Sequence, residues 1–244
     1  MNRTQKYIIT GMTPPSLLIL LLDPVGPGFY RIQYLRYATM LSLAIAVLLI
    51  PAKKPEQRLM SFAFAGMALG DFFLVFAHTL SIGTIDVAPM GILSFLTGYI
   101  FLIAAYRKTD NPMQHTALEK RFIYFVRGIF ITTSAAVALL LFRRLEGIQA
   151  LLGIVFLIEL TTMSSYAAIT PAYHYYSRKS AFMLALSGIF MYVCDIGIAF
   201  SLYHPYFINF YIRSLKNVVW FSYLSGWTLL ALVIAERRLY AKRA

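Results

Sequence analysis

The segment GMALGDFFLVFAH, residues 66–78, places an acid in the middle of a long apolar stretch. Asp71 has only apolar residues or glycine within four positions on either side. A charged side chain at the centre of a membrane helix costs about 2.5–3.5 kcal/mol on insertion scales. Such an acid is expected to face the interior of a helix bundle, where it meets a polar partner.

The whole chain has the composition of an integral membrane protein. Of its 244 residues, 59% are hydrophobic and 13% are charged, whereas a soluble domain carries about 25% charged residues. Crossing about 30 Å of hydrocarbon takes about 20 helical residues. The sequence therefore predicts an all-α polytopic bundle with seven full spans. These are residues 34–50, 59–78, 88–106, 122–142, 150–169, 181–203 and 215–236.

Residues 1–33 precede the first predicted span and contain one short apolar run, from Leu17 to Leu22. The run is too short to cross the membrane, so it predicts a short interfacial or re-entrant segment. An eighth, broken span is the alternative. Residues 34–236 form the predicted bundle, and residues 237–244 form a basic tail.

Lysine and arginine are concentrated in the loops on one side of the predicted bundle. Those loops and the tail carry Lys53, Lys54, Arg58, Arg107, Lys108, Lys120, Arg121, Arg178, Lys179, Arg237, Arg238, Lys242 and Arg243. The loops on the other side carry Arg143, Arg144, Arg213 and Lys216. The positive-inside rule then predicts a cytoplasmic C-terminus, in a bacterial inner membrane or a eukaryotic endomembrane. This bias accounts for the net charge of +12, so no nucleic-acid partner is expected.

Three acids, Asp71, Glu159 and Asp195, fall inside predicted spans at nearly the same depth. At 1.5 Å per residue, Asp71, Asp195 and Glu159 lie about 10, 12 and 14 Å from the outer ends of their spans. Tyr223 lies about 12 Å deep by the same measure. We therefore expect Asp71 and Asp195 to face each other across a central cavity with Tyr223 at its wall. Glu159 precedes a polar stretch, so a structural hydrogen-bond network is an equal alternative for it.

Two neighbouring carboxylates form an acid/base pair. Both cannot carry a charge cheaply in an apolar interior, so one holds a proton beside a carboxylate. Packing signals accompany both aspartates: Gly66 and Gly70 form a GxxxG before Asp71, and Tyr192 shares a helix face with Asp195. These signals support close helix contact, which packing alone also explains.

Other membrane chemistries lack their residues in this chain. Residues 217–235 of the last span contain no lysine for a retinal Schiff base, and no phosphate-binding glycine-rich loop is present. The histidines are scattered without the spacing of a zinc hydrolase; they are His78, His115, His174 and His204. The single cysteine, Cys194, fits a small packing residue. No metal or cofactor is expected.

Six blocks of the sequence resemble a known family. The family is the YhhN-like lysoplasmalogenases, and the blocks follow its helices in compatible order: YLRYATMLSLAIAVL (34–48), GMALGDFFLVF (66–76), GILSFLTGYIFLIAAY (91–106), FLIELTTMSSYAAI (156–169), GIFMYVCDIGIAF (188–200) and VVWFSYLSGWTLLALV (218–233). The resemblance covers most of residues 34–236. It implies an eight-helix membrane enzyme that hydrolyses the vinyl ether bond of lysoplasmalogens. The products are a fatty aldehyde and a glycerophospho-base.

The resemblance also implies roles for particular residues. The two motif aspartates fall on Asp71 and Asp195, which are the catalytic candidates. The tyrosine of the last helix falls on Tyr223. Substrate-binding candidates are Tyr223, Glu159, Tyr99 and Tyr192. The family usually has a histidine at Tyr99, a serine at Cys194 and a glutamine at Gly226, so this chain departs from its pattern at three positions.

The expected partners are a lysophospholipid substrate and membrane lipids. Vinyl ether hydrolysis begins with proton transfer to carbon, which a protonated aspartate can supply while a second carboxylate stabilises the cation. Arg127 is a candidate for contact with the phosphate, with snorkelling to the cytoplasmic surface as the alternative. Two other functions stay open: a small proton-coupled transporter, and a catalytically inactive lipid-binding protein.

Overall fold

The computed structural model describes residues 1–22, 31–51, 54–77, 87–107, 116–141, 143, 145–204 and 216–241. Within them the chain forms eight α-helices, and no β-strand is present apart from one isolated bridge between Tyr176 and Tyr240. The expected all-α architecture is confirmed. The helices are α1 (Arg3–Leu22), α2 (Arg31–Leu49), α3 (Pro55–Asp71), α4 (Ala88–Arg107), α5 (Ala117–Leu141), α6 (Gly147–Ile169), α7 (Arg178–Tyr203) and α8 (Lys216–Ile234).

Five of the described helices are long and apolar enough to cross a membrane. They are α4 to α8, and they coincide with the last five predicted spans. The apolar part of α2, Tyr34–Leu49, is shorter. Helix α3 has 17 residues and continues directly into a π-helical segment, Phe72–Ala77. The chain is a multi-pass membrane protein, although the count of seven spans is not established by helix length and composition.

The N-terminal segment is longer than the apolar run that the sequence singled out. Helix α1 begins at Arg3 and has 20 residues, despite Pro14 and Pro15 inside it. It packs between α2 and α8 with Ile8, Met12 and Ile19 buried. The apolar run is only the last part of this helix, because packing against two neighbours stabilises the more polar turns before it. Residues 23–30, which connect α1 to α2, lie outside the described residues.

The helices pack as a ring with one outer helix. Neighbours in the ring follow the order α1, α2, α3, α4, α6, α7, α8, and α8 contacts α1 to close it. Helix α5 lies outside the ring against α6 and α7. Helix α8 also contacts α2 and α3, so its side chains reach the middle of the bundle. Consequently α3, α4, α7 and α8 can bring side chains to one interior site.

Glycines bring α3 and α4 into close contact. A Cβ atom built on Gly66 would lie 2.8 Å from the backbone nitrogen of Gly98 and 2.8 Å from the carbonyl oxygen of Ser94. Real Cβ atoms do not approach backbone so closely, so only glycine permits this helix separation. The GxxxG that precedes Asp71 therefore acts as expected, as a contact surface between helices.

Hydrogen bonds gather several helix ends around the end of α8. Gln5, near the start of α1, donates to the carbonyl of Leu232 (2.9 Å) and to Glu236 (2.9 Å). Gln57, in the first turn of α3, donates to the carbonyls of Ile234 (2.9 Å) and Glu236 (2.9 Å). We call this end of the bundle the tail side and the opposite end the far side. Lys54, Arg58 and Lys179, expected to lie on one side, are all at the tail side.

Glu236 is an ionised member of this cluster. It contacts Gln5 and the ammonium of Lys179 (3.3 Å). Partial burial opposes ionisation, but the hydrogen bonds from Gln5 and the Arg238 amide, with Lys179 close by, lower the pKa of Glu236 below its ordinary value. The carboxylate therefore stabilises the tail-side cluster at neutral pH.

Candidate functional site

Asp71 is the last residue of α3, immediately before the π-helical segment. Its side chain is 4% exposed. The hydroxyl of Tyr223 in α8 lies 2.7 Å from each of the two carboxylate oxygens and donates its hydrogen bond to them. Short π-helical segments inside helices are frequent at functional sites. Asp71 is thus held at a change in helix geometry by a tyrosine from another helix.

Asp195 lies in α7 and is 8% exposed. The hydroxyl of Tyr99 in α4 donates a hydrogen bond to its Oδ2 atom. Tyr99 is itself buried, with the rings of Phe95 and Phe156 at centroid distances of 6.4 and 5.8 Å. The aromatic packing fixes the direction of the hydroxyl, which makes Tyr99 a second positioned donor.

The two aspartate–tyrosine pairs belong to one site. Asp71 interacts electrostatically with both Asp195 and Tyr99. Tyr99 in turn interacts electrostatically with Tyr223. The four side chains come from α3, α4, α7 and α8, which surround the middle of the ring. The structure therefore brings together four of the six residues that the sequence singled out.

The site lies inside the helix bundle. Each tyrosine hydroxyl lies directly against a carboxylate, and all four side chains are buried. Two surface clefts of the described region, of about 350 and 410 Å³, are lined by other residues, on α5 and at the far-side ends of α5 and α7. Tyr223 contacts Asp71, and the cavity that was expected between the two aspartates stays a prediction.

Tyr192 belongs to a different group of polar side chains. Its hydroxyl lies 2.7 Å from Thr133 Oγ1 and 2.7 Å from Ser134 Oγ, both in α5. Ser134 in turn contacts Thr161 of α6 at 2.6 Å. Tyr192 shares a helix with Asp195, but its side chain joins α7 to the outer helix. Among the described residues, Tyr192 makes no hydrogen bond to either aspartate, and its role in substrate binding stays a prediction.

Glu159 makes no hydrogen bond to either aspartate among the described residues. It is half-buried in α6. Its Oε2 atom is buried and has no hydrogen-bond partner among the described residues. The hydrogen-bond network that was the alternative for Glu159 is therefore not seen there either. A role for Glu159 in substrate binding stays a prediction.

The three departures from the family pattern lie at or beside the site. Tyr99 supplies the hydrogen bond to Asp195, and Cys194 is fully buried next to that aspartate. At Gly226 a Cβ atom would lie 3.2 Å from Met191 Cγ. The carbonyl of Gly226 also accepts a 2.7 Å hydrogen bond from Ser187. The glycine thus favours a close α7–α8 contact.

Arg36 is a buried residue that the sequence analysis did not single out, and it contacts Trp220, a neighbour of Tyr223. It lies in α2, is 2% exposed, and holds its guanidinium carbon 4.1 Å from the centre of the Trp220 ring. An arginine inside a predicted span was the signal that could have identified it. Arg127, the candidate that the sequence did suggest, instead lies near Tyr173 (3.4 Å) and over the Tyr166 ring (5.2 Å). Tyr166 lies in the last turn of α6, and Tyr173 ends the short 3-10 helix that follows it, Thr170–Tyr173.

Within the described part of the chain, no group of three or more His, Cys, Asp or Glu side chains could hold a metal ion.

In comparisons with curated proteins and with solved structures, nothing matches the chain. The sequence pattern of the YhhN family matches residues 33–234, which include both aspartates and both of their tyrosine partners. The chain belongs to the YhhN family.

Proposed function

We propose that this protein hydrolyses the vinyl ether bond of lysoplasmalogens within the membrane. One observation carries the proposal: two buried aspartates on different helices, each held by a tyrosine hydroxyl, meet inside a YhhN-family bundle. The reaction needs one acid and one anion close together. An apolar surrounding strengthens both the proton donor and the electrostatic stabilisation.

The proposed reaction uses the two carboxyl groups in turn. A protonated aspartate transfers its proton to the vinyl carbon that does not carry oxygen, and an oxocarbenium ion forms. The second aspartate, as a carboxylate, stabilises this cation and orients a water molecule. Water adds to the cationic carbon and returns a proton to the carboxylates. The resulting hemiacetal collapses to a fatty aldehyde and a free glycerol hydroxyl.

The pair acts as one titrating unit in this proposal. Because Asp71 and Asp195 interact electrostatically, the proton that they share belongs to the pair. Tyr223 and Tyr99 each donate to one carboxylate and so hold both in place. Their phenol groups keep the aspartates oriented when the substrate enters.

Aldehyde release from a lysoplasmalogen tests the proposal directly. Asp71→Asn and Asp195→Asn are each expected to lower turnover of the purified protein by about 10²–10⁴-fold, the usual contribution of a general acid or base. Asparagine preserves size and hydrogen bonding, so the thermal midpoint should change little. Glu159→Gln is the matched control, because it removes another intramembrane acid that makes no hydrogen bond to either aspartate among the described residues.

The outcomes separate the function classes. Near-normal turnover in either aspartate variant would contradict the two-aspartate mechanism. A wild-type protein that binds lysoplasmalogen without releasing aldehyde would favour a lipid-binding protein. Proton movement across vesicles, again without aldehyde, would favour a transporter.

We also propose that the tail side faces the cytoplasm. The basis is the excess of lysine and arginine there, together with the hydrogen bonds that gather Gln5, Gln57 and Glu236 at this side. A reporter fused after Ala244 should read as cytoplasmic. An extracytoplasmic signal from that fusion would reverse the orientation and place the far side in the cytoplasm.

A further inference from the structure

A cleft of about 350 Å³ lies at the far-side ends of α5 and α7. It is lined by Leu139, Leu140, Arg143 and His204, none of which belongs to the aspartate site. The two leucines are in the last turn of α5 and are 69% and 52% exposed, so they face outward and not into the core. Arg143 follows α5, and His204 follows the last residue of α7. The volume is in the range of ligand pockets, about 300–1,000 Å³, and the lining combines apolar surface with a cation.

Arg143 is an exposed cation without an acidic partner. Within the described part of the chain it forms no ion pair, not even with Glu146 three residues later. A guanidinium can bind two oxygens of a phosphate at once. The proposed orientation accounts for the lysines and arginines at the tail side but not for Arg143. Its charge is therefore available to an anion at the far side.

The bilayer brings a phosphate to the level of this arginine. Helix α5 has 25 residues and is apolar enough to cross a membrane. At 1.5 Å per residue it is about 38 Å long, which exceeds the hydrocarbon by about 8 Å. Residues 119–121 are charged, so the excess lies at the tail-side end of the helix. Leu139 and Leu140 then lie just inside the far-side edge of the hydrocarbon, and Arg143 lies beyond it, among the lipid headgroups.

We propose that this cleft binds a phospholipid of the far-side leaflet, with the phosphate at Arg143 and an acyl chain along Leu139 and Leu140. A phospholipid presents an anion and then an apolar chain, in the same order from the bilayer surface inward as the residues of the cleft. His204, whose ring lies 6.0 Å from that of Phe200, forms the α7 wall. The bound lipid joins the outer helix α5 to the ring. The inference does not depend on the proposed function, because the cleft shares no residue with the aspartate site.

The experiment measures the thermal midpoint of the full-length protein in a neutral detergent as lipid is added. A ligand that binds only the folded state raises the midpoint once its concentration exceeds its Kd. The probes are phosphatidylglycerol, a diacylglycerol with the same chains, and inorganic phosphate. Phosphatidylglycerol should raise the midpoint most, because it alone joins the anion to the chains.

Two arginine variants at opposite ends of α5 test the role of the charge. Arg143→Gln should weaken the apparent affinity for phosphatidylglycerol by about fivefold, the usual contribution of one cation at an anionic lipid surface. Arg121→Gln is the matched control, because it removes the same charge from an exposed position at the tail-side end, and the affinity should be unchanged. Arg143→Lys serves if Arg143→Gln does not fold. It keeps the charge but not the contact with two oxygens, so the affinity should fall by a smaller factor.

Four outcomes would overturn the inference. Equal stabilisation by the diacylglycerol would mean that the phosphate is not recognised, and equal stabilisation by inorganic phosphate would mean that the lipid chain is not. Equal losses of affinity in Arg143→Gln and Arg121→Gln would mean that net charge alone attracts the lipid. A midpoint that rises with protein concentration and not with lipid would assign the cleft to a second copy of this chain. Because no turnover is measured, none of these outcomes bears on the proposed hydrolysis.

Discussion

Tyr223→Phe removes the hydroxyl that donates to both oxygens of Asp71 and keeps the ring that packs in the core. The hydrogen bond is short, at 2.7 Å, and both partners are buried. A hydrogen bond to a charged group contributes about 1.5–3 kcal/mol. Since about 1.36 kcal/mol corresponds to a factor of ten in rate, its loss should lower turnover by about 10- to 160-fold.

The assay is aldehyde release from a lysoplasmalogen by the purified protein, together with its thermal midpoint. Tyr192→Phe is the matched control, because its hydroxyl contacts Thr133 and Ser134 and neither aspartate. That variant should lose about 1 kcal/mol of stability, the contribution of a neutral hydrogen bond, and keep its turnover. The comparison separates loss of a site hydroxyl from loss of a packing hydroxyl.

The Tyr99→Phe variant extends the test to Asp195. Because the two aspartate–tyrosine pairs interact, the double variant Tyr99→Phe with Tyr223→Phe should not show the sum of the two single effects. Near wild-type turnover in a folded Tyr223→Phe protein would refute the assignment of the tyrosine as the support of Asp71. An equal loss in Tyr192→Phe would refute it too.

The remaining predictions concern packing and pH. Gly66→Ala should lower stability by about 1–3 kcal/mol, because the new Cβ would meet backbone atoms of Gly98 that cannot rotate away. Gly128→Ala is the control and should not lower the thermal midpoint, because no atom lies within 4 Å of a Cβ built on Gly128. Gly226→Gln, which restores the residue usual in the family, should lower the thermal midpoint because the side chain would meet the backbone of α7. An unchanged thermal midpoint would contradict the close α7–α8 contact at Gly226. Glu236→Gln should destabilise the protein at neutral pH. Since the folded state lowers the pKa of Glu236, the stability difference between the wild type and Glu236→Gln should be largest above the ordinary pKa of 4.5. The difference should disappear as the pH falls below that value. A stability difference that grows in acid would contradict the prediction.

Local properties of the sequence determined the class of the protein and the positions of its acids. Long apolar segments must form helices in a membrane, because every backbone group has to be satisfied within the segment. The last five predicted spans agree with α4 to α8 for that reason. The depth of an acid follows from its position in the helix, so Asp71 and Asp195 could be expected to meet. The close contact at Gly66 could also be predicted, since only glycine lets two helix backbones approach so far.

The tertiary structure decided which side chains share a site. Helix order and rotation about each helix axis come from packing among all eight helices, and spacing along one segment does not determine them. Packing therefore pairs Tyr223 with Asp71 and Tyr99 with Asp195. It also places Tyr192 against the outer helix and gives Glu159 no hydrogen bond to either aspartate. It also extended α1 well beyond its apolar run. Arg36 reaches Trp220 only because α2 lies against α8.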